Sequence, residues 1–341
     1  MKSLVIDIHA HFTPKLLIKN FDAHAAKFSG VKLLHDAGGG PPRMQFPGTE
    51  ATRPIMPRLS DLVDRRAWMD RNGIDHQLVG GWLDSFGYEL PAREGLAWSR
   101  FINDCMRDEL RDESRFTPLA TVPLQDGKLA AEVLGEAMDR GFGGVMIGTL
   151  PKGERGGNLD DPSLDLFWDA ASKLGAAVYL HPMFVCGEPR LADYDLVNAI
   201  GRLVDTSIAV SRLLYSGHLL KYTGMKFILS HGGGALPYAL GRLARSHQAS
   251  QGKYADPRKG FATMYFDSCV FDTDSLEYLA RRAGAGRVML GSDAPFPIGD
   301  PEPVKVIRNA DFTGAQKGGM LGETAQQVFR IRSDSQTGRR T

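Results

Sequence analysis

The feature that most constrains this chain is a rhythm: eight short aliphatic runs, each separated from the next by a stretch patterned as helix. The runs are Leu4–Ile8, His76–Gly80, Thr117–Val122, Gly144–Ile147, Ala177–Leu180, Lys226–Ser230, Met264–Asp267 and Arg287–Leu290. Most are continuously apolar rather than alternating, as strands buried on both faces of a parallel sheet are. Between them, Ser60-Asp61-Leu62 opens a helical pattern that stops at Asn72-Gly73. Asp126-Gly127 opens another that ends near Gly141, Pro162-Ser163 starts one that ends at Gly175, and a fourth, carrying Leu276, Leu279 and Ala280, stops at Gly284. Polar starters and glycine stops are the expected punctuation of helices. Eight strands alternating with helices predict an α/β fold, a (β/α)8 barrel.

The length of 341 residues and the 43% hydrophobic content suit one such barrel, spanning about residues 1–332, with insertions. Residues 12–57 break the rhythm with Gly38-Gly39-Gly40-Pro41-Pro42 and with Pro54 and Pro57. That stretch is too long for a bare connection, so a small inserted subdomain or lid is expected after the first strand. Residues 191–220 form a second long stretch, read as helical. The polar residues 333–341 are expected to be a disordered tail.

Charge excludes several classes. Lys and Arg number 41 against 40 Asp and Glu, and no basic stripe carries interleaved aromatics, so neither nucleic acid nor an anionic membrane is an expected partner. Cys105, Cys186 and Cys269 are odd in number and widely spaced, which argues against structural disulfides and fits a reducing compartment. Leu4-Val5-Ile6 is too short for a signal peptide, and no apolar run reaches the ~18 residues of a membrane span. A soluble cytoplasmic protein is expected.

In a barrel of this kind the working residues stand at the C-terminal ends of strands. The first strand ends in Asp7-Ile8-His9-Ala10-His11, the fifth in His181-Pro182, the sixth in Ser230-His231-Gly232-Gly233-Gly234 and the eighth in Gly291-Ser292-Asp293-Ala294-Pro295. On an extended strand, residues i and i+2 face the same way, so His9 and His11 converge on one point. With His181 and Asp293 they make an N3O set that suits zinc or another borderline divalent metal and leaves room for water. His231 then remains as an acid or base.

An isolated His-x-His is as readily a surface pair, but three further strand ends carrying matching residues outweigh that explanation. His231 alone could simply brace its glycine-rich turn. Asp7 and Asp267 either orient ligands from behind or are merely polar near strand ends. His24, His35, His76, His218 and His247 are expected in surface or loop packing. The fourth strand ends Met146-Ile147-Gly148-Thr149, without the Glu or Lys that would bridge two metals, and Lys152 lies beyond it. One metal is therefore expected, zinc first and manganese as the alternative.

Taken together, Ile6-Asp7-Ile8-His9-Ala10-His11-Phe12, Phe86-Gly87-Tyr88, Val122-Pro123-Leu124-Gln125-Asp126, Leu159-Asp160-Asp161, His181-Pro182, His231-Gly232-Gly233-Gly234 and residues 288–297 resemble the amidohydrolase superfamily, and within it the decarboxylase branch. The resemblance implies a single Zn2+ on His9, His11, His181 and Asp293, with His231 as the catalytic acid or base. It implies that Arg53 binds a substrate carboxylate, which fits a guanidinium's two-pronged donation, although a solvated loop arginine is the alternative. Phe296 would line the pocket. It also implies a homodimer in which a neighbouring subunit donates a second carboxylate-binding arginine. The matching position here is Ser250, with Arg245 one turn earlier. The aromatic residue expected near His181 is also replaced, with Met183 and Phe184 following Pro182.

The function expected is non-oxidative decarboxylation of a carboxylated semialdehyde, aminocarboxymuconate semialdehyde or an analogue, from aromatic-ring breakdown. The alternative is a hydrolase using the same ligands on a C–C, lactone or amide bond. A third reading, metal binding without turnover, conflicts with the free His231.

Overall fold

The computed structural model describes residues 4–36, 38–183 and 187–331. Eight parallel strands form the barrel: β1 (Ile6–Phe12), β4 (His76–Gly81), β5 (Phe116–Pro118), β6 (Val145–Gly148), β7 (Ala177–His181), β8 (Lys226–Leu229), β9 (Tyr265–Asp267) and β10 (Val288–Met289). Two ladders, β1-β4-β5 and β10-β9-β8-β7-β6, make up most of the wall. Single bridges, Ala10 to Ala294 and Ala120 to Val145, join them into a closed ring. The backbone bonds Ile8 N to Leu290 O (2.9 Å) and His11 N to Ala294 O (2.8 Å) reinforce the first seam. Closure leaves no exposed edge.

All eight expected strands are present, with shifted ends. β1 begins two residues later than expected and runs on through His11, so the histidine pair lies within the strand. β5 shrinks to three residues. Single backbone bonds continue past it, from Leu119 N to Val79 O and from Ala120 N to Gly144 O, both 2.9 Å.

The helix boundaries follow the punctuation. Asp61 accepts bonds from Val63 N and Asp64 N to cap Leu62–Asn72, which ends at left-handed Gly73 (φ 65°). Asp126 does the same for Gly127–Asp139. Caps of this kind contribute about 1 kcal/mol each. The stretch at residues 191–220 is not continuous helix. Tyr194 and Asp195 have positive φ (59° and 54°), which interrupts any helix, and a π-helical turn at Val197–Gly201 precedes the helix Arg202–Tyr215.

Between β1 and β4 the chain makes short helices and an antiparallel hairpin of β2 (Lys32–Leu34) and β3 (Arg43–Gln45). Phe21, Phe28, Met44 and Phe46 of this insertion pack with Trp98 and Phe101 of the helix Ala92–Glu109 into an apolar cluster of their own. The Trp98 indole N–H donates to Ser85 O (2.7 Å), so its burial leaves no polar group unpaired. Among the described residues no helix is long and apolar enough to cross a membrane. Residues 333–341 lie outside the described residues.

Candidate metal centre

Four side chains meet at the C-terminal mouth of the barrel. One ligand atom each from His9, His11, His181 and Asp293 lies within 4.8 Å of all the others, and all four residues are buried. His9 Nε2 and His11 Nε2 stand 3.3 and 3.1 Å from Asp293 Oδ1. The first strand therefore aims both imidazoles at one point, although its pairing with β4 shifts register between Asp7 and Ala10.

The other ring nitrogens say which atoms face inward. His11 Nδ1 lies 3.1 Å from Gly81 O, and His181 Nδ1 lies 2.9 Å from Pro182 O. A carbonyl only accepts, so Nδ1 must carry the proton in both rings and Nε2 presents its lone pair. His9 Nδ1 lies 2.6 Å from Asp267 Oδ2. The three Nε2 atoms and Asp293 Oδ1 are buried without a hydrogen-bond partner. Buried polar atoms are rarely left so, and a divalent cation would satisfy all four at once. The donor set fits a metal.

Electrostatics point the same way. Burial disfavours a charged His9, but Asp293 and the bond to Asp267 outweigh it and lift His9 well above the ordinary imidazole range. Burial and the neighbouring imidazoles push His181 well below that range. Burial also works against the Asp293 carboxylate, yet the surrounding imidazoles hold it well below the usual carboxylate range. A cluster that draws positive charge toward one anion suits a cation.

The support behind the ligands answers what spacing left open. Asp267 takes His9 Nδ1, the Tyr179 hydroxyl (2.8 Å) and Gly232 N (2.8 Å), so it orients one ligand and anchors the turn beside His231. Asp7 accepts from Ser292 Oγ (2.5 Å), Gln77 Nε2 (2.7 Å) and His9 N (3.0 Å). Arg65 continues the chain, donating to Gln77 Oε1 (3.0 Å) and His11 O (2.6 Å). Burial lowers the Arg65 guanidinium to about 10, still charged at neutral pH. Groups behind metal ligands typically change affinity or activity 10–100-fold when lost. Tyr179 could have been read beforehand, because it stands two residues before His181 on the same strand face. Arg65 offered no such signal.

His231 is brought to the same point. Its Nε2 is 3.6 Å from Asp293 Oδ2, and its ring centroid is 5.1 Å from His9 and 4.9 Å from His181. Both His231 (φ 52°) and Asp293 (φ 61°) occupy the left-handed region, which is uncommon for side-chain-bearing residues and concentrates at functional sites. The turn after His231 needs its glycines. At Gly234 (φ 63°) a Cβ would fall 2.5 Å from Leu203 O.

Around this point two cavities open. One, of about 480 Å3, is lined by Arg53, His181, Arg202, Asp293 and Phe296, among others. The other, of about 560 Å3, reaches His231 and Asp293 past Val270, Phe271 and Tyr278. Phe296 lies 5.0 Å, ring to ring, from His11. The Arg53 side chain is half-exposed, its Nε and Nη2 each donating to Asp84 at 3.1 Å. Arg202 was not anticipated; its only signal was its position in the oversized stretch after a ligand-bearing strand. Ser250 ends the helix Leu236–Ala249, its hydroxyl donating to His247 O (2.8 Å).

The remaining histidines stay away from the centre, but not all at the surface. His76 and His218 are buried, bonded to Thr117 Oγ1 (2.8 Å) and Ser216 Oγ (2.7 Å). Cys105 and Cys269 are free thiols, and Cys186 lies outside the described residues. β6 ends at Gly148, with Thr149 bonded to Asp205 and Lys152 exposed, so this strand brings no bridging group to the centre.

Comparison with known proteins agrees with this picture. A family model described as amidohydrolase matches residues 6–331. A 2-amino-3-carboxymuconate-6-semialdehyde decarboxylase of Dictyostelium discoideum is 27% identical, over 96% of this chain and 92% of its own. The crystal structure of 5-carboxyvanillate decarboxylase from Sphingomonas paucimobilis aligns with a TM-score of 0.79 at 25% identity, covering 97% of this chain and all of that one. The same fold, with a TM-score of 0.78 at 24% identity and 96% of each chain covered, occurs in 5-carboxyvanillate decarboxylase from Novosphingobium aromaticivorans complexed with manganese and 4-hydroxy-3-methoxy-5-nitrobenzoic acid. On the strength of its matched family model, this chain belongs to the amidohydrolase family.

Proposed function

We propose that this chain is a metal-dependent, non-oxidative decarboxylase of a small conjugated or aromatic carboxylate, such as a carboxylated semialdehyde from aromatic-ring breakdown. His9, His11, His181 and Asp293 hold one divalent cation, and His231 is the catalytic acid or base. Zinc suits three imidazoles and a carboxylate, and manganese is the alternative, since a related fold binds it. The observation that carries the reading is His231, which stands beside the four-ligand cluster without belonging to it. Relatives named as decarboxylases favour loss of CO2 over hydrolysis.

The residues divide the work. A cation in this site supplies Lewis-acid polarisation to a substrate oxygen. Arg53, at the cavity wall, turns its fork from Asp84 to a substrate carboxylate, and Phe296 packs against the conjugated body of the substrate. Holding the substrate this way fixes the scissile C–C bond relative to His231. As that bond breaks, its electron pair stays on the carbon and CO2 departs. Protonated His231 gives its proton to the same carbon and is recharged from water.

The test is incubation with a panel of carboxylated semialdehydes and hydroxybenzoates while released CO2 is trapped. One substrate should release one CO2 per molecule consumed, and chelation should abolish it. Hydrolysis products without CO2 would replace this reading with the hydrolase.

A further inference from the structure

Arg202 is a poor choice for stability alone. It stands where the π-helical turn Val197–Gly201 runs into the helix Arg202–Tyr215, its side chain half-buried. Burial and the charge of Arg53 both work against its guanidinium, while Asp293, Asp84 and Asp195 favour it. Its Nε donates to Asn198 Oδ1 (2.8 Å), and Nη1 lies 3.5 Å from Pro182 O, next to a ligand histidine. The π-helical turn at Val197–Gly201 is what sets Asn198 and Arg202 on one wall, and such turns are frequent at functional sites. Both residues line both cavities that open on Asp293. Arg53 lines only the smaller one of these two.

We propose that Arg202 is a second anion anchor supplied within the same chain, so that the site takes a substrate with two acidic groups, one met by Arg53 and the other by Arg202. The assignment rests on the decarboxylase reading of the site. A second acidic group offsets the burial and the Arg53 charge that oppose the Arg202 guanidinium, and Phe296, which lines the cavity shared by both arginines, carries the unsaturated body between the anchors. No arginine from a neighbouring subunit is then needed, consistent with Ser250 at the position where the family pattern has one.

The test uses calorimetric titration of the zinc-loaded protein with isophthalate and with benzoate, neither of which needs to react. Wild-type protein should bind isophthalate about tenfold or more tighter than benzoate. Arg202→Met should erase that preference by weakening isophthalate about tenfold while changing benzoate less than about twofold, with metal content unchanged. A merely structural Arg202 would weaken both ligands alike or neither. Should Arg202→Met fail to retain its metal, Arg202→Gln, which can still bond Asn198 and Pro182, is read on the same terms. Absence of a preference in the wild type, or its persistence in the variant, overturns the proposal. Because binding is read without turnover, either result leaves the CO2 assay standing, and a failed CO2 assay leaves the binding result standing.

Discussion

The metal centre and the mouth above it are built on opposite plans. At the centre, every Nδ1 of the three histidines proposed to hold the metal is tied to a carbonyl or a carboxylate, and the rings are buried. At the mouth, Arg53 comes from the irregular insertion and is half-exposed, and Arg202 follows a π-helical turn. The difference separates chemistry from choice of substrate. Ligands fixed by strand ends and a layer of hydrogen bonds hold one geometry, while anchors on insertions can be exchanged without disturbing it.

That contrast can be broken at several points. The largest effect is expected at the centre: His9→Ala should empty the site and reduce CO2 release to background, checked by metal analysis beside the CO2 assay, whereas full occupancy with normal rates would remove His9 from the ligand set. Asp267→Asn sharpens the role of the layer behind the ligands. It should lower metal affinity or activity about 10–100-fold, and a chelator competition that finds wild-type affinity, together with wild-type rates, would reduce Asp267 to a bystander. At the mouth, Arg53→Ala should raise KM for a carboxylate substrate about tenfold. Steady-state kinetics with an unchanged KM would remove Arg53 from the pocket.

The smallest effect lies at the seam between the two regions. Asp205, on the same helix as Arg202, bonds Thr149 and Met183 N and so braces the chain just after His181. Burial, against the bonds from Thr149 and Met183, raises its carboxyl from 3.8 to about 6. The folded state therefore holds this proton more tightly than the unfolded state, so stability falls as pH rises from about 4 to about 6 and the loss is complete above that. Asp205→Asn should flatten this part of the curve by about 1–3 kcal/mol, measured by denaturant unfolding at pH 4.5 and 7. An unchanged pH dependence would show that Asp205 ionises as easily folded as unfolded.

The same contrast explains what could be read from the sequence. His9-x-His11 was legible because period two is a local property of a strand, and closing eight strands into a ring brings His181, His231 and Asp293 to the same end. Asp7 and Asp267 stayed ambiguous because their partners Ser292 and His9 lie 285 and 258 residues away. Arg202 was hidden because helical periodicity does not announce positive φ at Tyr194 and Asp195 or a π turn after them. His76 and His218 were misjudged as surface or loop groups; both are buried, each with one ring nitrogen bonded to a hydroxyl, of Thr117 and of Ser216.

The most direct test of the account is His231→Ala, assayed for metal content and CO2 release in the same preparation. The account predicts about one metal per chain, as in the wild type, with CO2 release lost. Loss of the metal would make His231 a ligand, and retained turnover would show that another group delivers the proton; either result contradicts the division between the four metal-holding residues and the one that moves the proton.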